Sequence, residues 1–196
     1  MAEALALPPR KRGWPKQGEW TYDDYLKLPD DGRRYEIIEG ELYVTNAPGL
    51  DHQFVVAELL RQMANYVVEN QLGYVIAAPF EVHLSETTRP VQPDVLFIKK
   101  ERWPGPGAKF FAGAPDLVVE VLSPSTLRRD RSLKFTVYEQ AGVPEYWIAN
   151  PRTCSVEIFT LSGAEYALLG EFIEDETIRS KMLPGLEIVT SSLFGR

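Results

Sequence analysis

The sequence predicts an α/β or α+β domain, a mixed central β-sheet flanked by helices. Three observations predict it. The runs Leu117-Val118-Val119-Glu120-Val121-Leu122 and Pro144-Glu145-Tyr146-Trp147-Ile148-Ala149 are nearly continuous in apolar residues, which marks strands buried on both faces. Apolar residues at 55, 56, 59, 60, 63, 67 and 68 repeat with helical spacing. The order of elements, a β-hairpin, a helix, several strands, a helix, a strand and a hairpin, suits a sheet with helices on its faces.

The elements follow in turn. TYDDYLKLPDD reads as a short helix ending at Pro29. YEIIEGELYV reads as a hairpin around Glu39-Gly40, with Gly40 supplying the positive φ of a tight turn. DHQFVVAELLRQMANYVVENQLG reads as a helix, with Asp51 as N-cap and Gly73 as its stop. GYVIAAPFEVHLS reads as a strand pair or one bent strand, and VQPDVLFIKK and APDLVVEVLS as strands. A second helix is expected from about Thr126 to Ala141, stopped by Gly142. PEYWIANP is a buried strand after a proline boundary. CSVEIFTL, AEYALLGEF and the tail read as antiparallel strands.

With 196 residues, 44% of them apolar, the chain is long enough for one domain with a real core. Residues 1–19 read as a flexible flank rich in Pro, Gly and Lys/Arg, and 20–196 as the domain. The flank lacks the apolar core of a signal peptide, and no run of about 18 apolar residues is present. The single cysteine, Cys154, excludes an internal disulfide and a cysteine-based zinc site. These features predict a cytoplasmic protein. The net charge of −7 argues against a general nucleic-acid coat but leaves room for an enzyme that meets a phosphate backbone locally.

Two Pro-Asp dipeptides frame the chemistry. Asp116 and Glu120 share a strand and a face, but at ~3.3 Å per residue they stand ~13 Å apart. They cannot hold one ion together. Glu120 lies inside an apolar strand, where a charge must be paired or metal-bound. Asp116 lies at the strand start, where a solvated or capping role costs little, and reads as a loop acid outside the site. Asp94 opens a different strand. Adjacent strands lie ~4.8 Å apart, so Asp94 and Glu120 can converge on one point. The alternative is that Asp94 caps a turn while Glu120 sits in a buried ion pair.

Further along, Asp130, Lys134 and Tyr138 are spaced to share a helix face, bordered by Leu133 and Val137. Lys134 can reach back over the strand end, or form an exposed pair with Asp130. His52 opens the long helix, either as a simple N-terminal residue or as a neighbour of a metal site. His83 reads as a strand surface residue. Glu36 and Glu41 can face a cleft, and Glu39 is solvated at its turn. Ser123 and Ser125 fit a turn and an N-cap. Arg128, Arg129 and Arg131 form a basic cluster that either meets phosphates or is a solvated helix face.

A Pro-Asp at a strand start followed by a strand with a buried Glu resembles the PD-(D/E)XK nuclease superfamily, although Leu122 stands where that pattern wants Lys. The wider pattern, RYEIIEGEL, His52, RPVQPDVLFI, APDLVVEVLSPST and RDRSLKFTVYEQAGVPEYWIANP, resembles the Uma-two family of restriction endonucleases across about residues 20–195. Asn150 departs from it, since that family usually has Asp before Pro151; the position reads as a strand end away from the motif.

The resemblance implies a restriction-endonuclease-like fold and Mg²⁺-dependent hydrolysis of DNA phosphodiesters, with Mn²⁺ as a possible substitute. It implies Asp94 and Glu120 as metal ligands, joined by the backbone carbonyl of Val121. It implies Lys134 as the displaced catalytic lysine, with Glu36 and His52 at the site edge; Arg128 and Arg131 are the phosphate-contact candidates of the basic cluster, not of the resemblance. A homodimer would let single-site subunits cut two strands. The competing class is an inactive nucleic-acid-binding or protein-interaction module on the same fold.

Overall fold

The computed structural model describes residues 13–123 and 129–195, with only the backbone of Arg129 and Asp130 described. A short helix α1 (Tyr22–Tyr25) leads into the hairpin β1 (Arg34–Ile38) and β2 (Glu41–Thr45). Both Glu39 (φ 52°) and Gly40 (φ 72°) have positive φ, as a two-residue type I′ turn requires. A Cβ on Gly40 would stand 2.6 Å from the Gly18 carbonyl oxygen, so the turn also needs glycine for space.

Helix α2 (Leu50–Glu69) begins from Gly49, with Asp51 in its first turn rather than capping it. There the acid faces the positive end of the helix dipole. The helix stops at Asn70, and Gly73 instead opens β3 (Gly73–Ala77). β4 (Glu81–His83) does not pair with β3. It runs parallel to β6 (Phe110–Ala112) in a separate small sheet.

The central sheet has the order β10-β9-β8-β7-β5-β3, with β5 (Val95–Lys99), β7 (Leu117–Val121), β8 (Glu145–Asn150), β9 (Ser155–Ser162) and β10 (Glu165–Ile173). Only β7 and β8 are parallel; the other neighbours are antiparallel. The mixed sheet flanked by helices is the architecture that the sequence predicts. Strand alternation sends residues to two cores. On one face, Val55, Leu59, Met63 and Val67 of α2 pack on Val95, Phe97, Val119, Val121 and Trp147. On the other, Val137 and Tyr138 join Ile38, Leu96, Val118, Tyr146 and Ile148. The tail, with β11 (Thr177–Ile178) and β12 (Ile188–Val189), closes over the α2 side.

The second helix departs from expectation. Among the described residues, Arg129–Lys134 is π-helical and Phe135–Ala141, α3, is the α-helical part; the expected start near Thr126 lies outside the described residues. π-helical turns are frequent at functional sites. Gly142 ends α3 in the left-handed conformation, as its position in the sequence predicts.

Candidate active site

Asp94 lies immediately before β5. Val95 pairs with Val119, so continuing the antiparallel register sets Asp94 opposite Glu120. Both side chains are buried. The oxygens of Asp94 have different partners. Oδ2 accepts the Val121 N–H at 2.9 Å and faces His52 Nε2 at 3.2 Å. Oδ1 accepts from Arg34 Nη1 at 2.9 Å. Burial alone would raise the Asp94 carboxyl, but the His52 hydrogen bond and the Arg34 charge outweigh it and hold the group well below the usual carboxylate range. His52 is itself buried, and its Nδ1 has no hydrogen-bond partner among the described residues.

Glu120 meets the helix. Lys134 Nζ and the Tyr138 hydroxyl both donate to its Oε1 at 2.8 Å. Lys134 also stands 2.9 Å from Glu36 Oε1, which accepts the Gln92 N–H at 2.8 Å. Lys134 is 0% exposed. Lys134 therefore sits between two buried carboxylates and not in an exposed pair, and its desolvation cost is offset because both acids lie within hydrogen-bond distance; the side chain of Asp130, the expected partner, lies outside the described residues. Burial and the neighbouring Glu120 charge push the Tyr138 phenol well above its ordinary value, so it stays a hydrogen-bond donor.

The structure thus brings Glu36, His52, Asp94, Glu120 and Lys134 together, and adds Arg34 and Tyr138. The guanidinium of Arg34 lies near the charges of Asp94, Glu36 and Glu120, which outweigh its desolvation and hold it protonated. Arg34 had a signal in the sequence. Two-residue alternation puts Arg34, Glu36 and Ile38 on one face of β1.

Other expectations change. Asp116 stands outside this cluster, and of its two expected roles, solvated or capping, it takes the capping one, in a buried position. Its Oδ2 accepts the Lys99 N–H at 2.9 Å, and Oδ1 pairs with Arg102 at 3.0 Å. It caps the edge between β5 and β7. Glu41 is exposed and accepts from the Tyr43 hydroxyl at 2.7 Å, away from the cluster. Glu39 is exposed, as expected. His83 is no surface residue. Its ring stacks on Phe110 at 4.1 Å, meets Tyr22 edge-on at 4.6 Å, and reaches Glu81 at 3.1 Å. Arg131 pairs with Glu157. Arg128 and Ser125 lie outside the described residues.

Two cavities flank the cluster and share His52. One, of about 220 Å³, is lined by Arg34, Thr45, Pro48, His52, Ala78 and Asp94 among others. The other, of about 480 Å³, has walls from Leu50, His52, Leu122, Ser123, Asn150 and Arg152. Asn150 therefore belongs to the cleft. In the parallel β7/β8 pair Val121 faces Ala149, so Asn150 follows at the same sheet end as Glu120. The expectation that it lies away from the motif is corrected.

A divalent ion fits the donor set. The Leu122 N–H bonds Ala149 on β8, so strand alternation turns the Val121 N–H and C=O toward Asp94. Two carboxylates and a backbone carbonyl are hard oxygen donors. Formally, three acids face two basic side chains here, leaving a negative excess. Among the described residues no group of three or more His, Cys, Asp or Glu side chains forms a ready-made metal centre.

The mixed six-stranded sheet flanked by helices defines an α/β domain that carries this buried Asp-Glu-Lys cluster. A crystal structure described as "a putative nuclease belonging to DUF820", from Anabaena variabilis, superposes with a TM-score of 0.76. It is 21% identical, with 89% of this chain and 97% of that chain covered, a likeness of fold. The family model Uma2, described as "Putative restriction endonuclease", matches residues 22–191, and the chain belongs to that family. No curated protein matches the sequence.

Proposed function

We propose that the protein is a divalent-metal-dependent endonuclease that hydrolyses phosphodiester bonds in DNA, with Mg²⁺ as its ion and Mn²⁺ as a substitute. One observation carries the reading. Asp94 and Glu120 face each other across β5 and β7, and Lys134 holds Glu120 from the opposite side. Membership of a restriction-endonuclease family supports DNA as the substrate.

Asp94, Glu120 and the Val121 carbonyl would hold the ion, which when bound supplies polarisation of the phosphate and a more acidic water. The rest is the work of this chain. His52 and the Val121 N–H fix the Asp94 carboxylate in one orientation. Tyr138 and Lys134 fix Glu120. Lys134 orients the attacking water or offsets charge that develops on the phosphate oxygens. Burial of the cluster keeps these partners pre-positioned. Two copies related by a two-fold axis would present one site to each DNA strand.

The test is cleavage of supercoiled plasmid and single-stranded DNA with Mg²⁺ or Mn²⁺, beside calorimetric Mn²⁺ titration. Wild type should nick or linearise plasmid, and Asp94→Ala should lose both cleavage and binding heat. Equal heats for wild type and Asp94→Ala would sink the metal site. DNA binding without cleavage under either ion would favour the non-catalytic module.

A further inference from the structure

We propose that Arg34 is a built-in placeholder for the cation: its guanidinium occupies Asp94 Oδ1 until an ion arrives, and then turns to the substrate phosphate. This rests on the metal-dependent reading above. The argument starts from the division of Asp94. Its Oδ2 is held by the Val121 N–H and by His52, both parts of fixed elements. Oδ1 meets Arg34 Nη1 at 2.9 Å. An incoming ion sharing Asp94 with Glu120 therefore meets Arg34 at that oxygen.

Arg34 cannot step aside by losing its proton, because a guanidinium stays charged in proteins. Two cations at one oxygen repel, so ion and guanidinium compete. Without the ion, the arrangement has a purpose. A buried carboxylate needs a counter-charge, and Arg34 supplies it from the start of β1. Among the described residues Nη1 makes one other, longer hydrogen bond, to the Gln92 carbonyl at 3.4 Å, so the head is held beside Glu36 and Glu120 by charge more than by fixed hydrogen bonds. The cavity of about 220 Å³ lined by Arg34, His52 and Asp94 gives it somewhere to turn. A released guanidinium at a cleft wall beside the ion is suited to paired hydrogen bonds with phosphate oxygens.

The test compares metal-free wild type, Arg34→Met and Arg34→Lys. Mn²⁺ affinity is read by calorimetry, and melting temperature is read in EDTA and in Mn²⁺. Removing the competitor should tighten Mn²⁺ binding by Arg34→Met about tenfold, the ratio that 1.4 kcal/mol sets. Arg34→Lys, which keeps the charge, should stay near wild type. Mn²⁺ should raise the melting temperature of Arg34→Met more than that of wild type, because the ion replaces the missing counter-charge. Cleavage by Arg34→Met should nonetheless fall about 100-fold, as when one transition-state donor is lost.

A wild type that binds Mn²⁺ beside an Arg34→Met protein that binds it equally or more weakly would overturn the placeholder and leave the nuclease reading standing. Loss of stability that Mn²⁺ does not restore would likewise reduce Arg34 to a structural residue. Absence of Asp94-dependent heat in wild type would instead remove the nuclease reading itself.

Discussion

Replacing Lys134 by methionine tests whether the cluster is the buried ion network described. Methionine keeps most of the side-chain volume and removes the ammonium. Lys134 is 0% exposed, and its carboxylate neighbours Glu36 and Glu120 are 0% and 1% exposed. Removing one partner of a buried ion pair costs about 3–5 kcal/mol, because the other charge is left uncompensated. Here two acids are left, at 2.9 and 2.8 Å from the lost nitrogen. Part of the loss is cushioned: Glu120 keeps the Tyr138 hydroxyl and Glu36 keeps the Gln92 N–H. For a domain of this size each kcal/mol moves the melting point about 2–4 °C, so a fall of about 6–20 °C is expected. Urea unfolding measures it, with the slope unchanged and the midpoint lowered. The double variant Lys134→Met with Glu120→Gln should recover part of the loss, since one stranded charge is gone. A loss below about 0.5 kcal/mol, the size of an exposed pair, would refute the buried network.

Three further outcomes follow from the same geometry. The Asp94 carboxyl is held below its usual range, so it stabilises the fold above the unfolded value of about 3.9, and that contribution is lost as pH falls through the folded value. Asp94→Asn should therefore flatten the acid limb of a stability-against-pH curve; an unchanged limb would contradict the pairing with His52 and Arg34. Glu145 is fully buried and accepts from Trp147 Nε1 at 2.7 Å, Ser180 Oγ at 2.6 Å and the N–H groups of Lys181 at 2.7 Å and Met182 at 3.0 Å. Glu145→Gln should cost about 1.5–3 kcal/mol, read by Trp fluorescence during denaturation. Asp116→Ala should lower stability by about 1–3 kcal/mol yet leave Mn²⁺ affinity untouched; weakened metal binding would return Asp116 to the site.

The parts of the site that were legible are those where a residue conflicts with its surroundings. Glu120 is a charge in an apolar strand, and its burial cost forces a partner. Lys134 and Tyr138 are four residues apart, and both reach the same Glu120 oxygen. The central strands were legible for a related reason, since long apolar runs have one stable place. What escaped the sequence depends on tertiary pairing. Asp116 is an ordinary turn acid until β5 and Arg102 close over it. Asn150 reaches the cleft only because β7 and β8 run parallel. The π-helical turn before α3 has no periodic signature in RDRSLK. Arg34, next to the exposed-side pair of Arg33 with Asp31, carried only the alternation of its strand.

The two helices that serve the cluster pack on opposite faces of one sheet. His52 arrives with α2, whose apolar stripe covers one side. Lys134, the last residue of the π-helical turn, and Tyr138 of α3 arrive on the other, where Ile38 of the hairpin that carries Arg34 and Glu36 also packs. No single foldon holds the working set. Partial opening of the hairpin, of either helix layer or of the β5/β7 edge would switch the chemistry off well before the sheet itself is lost. Under the proposed mechanism, DNA cleavage is therefore a stricter reporter of full assembly than secondary structure.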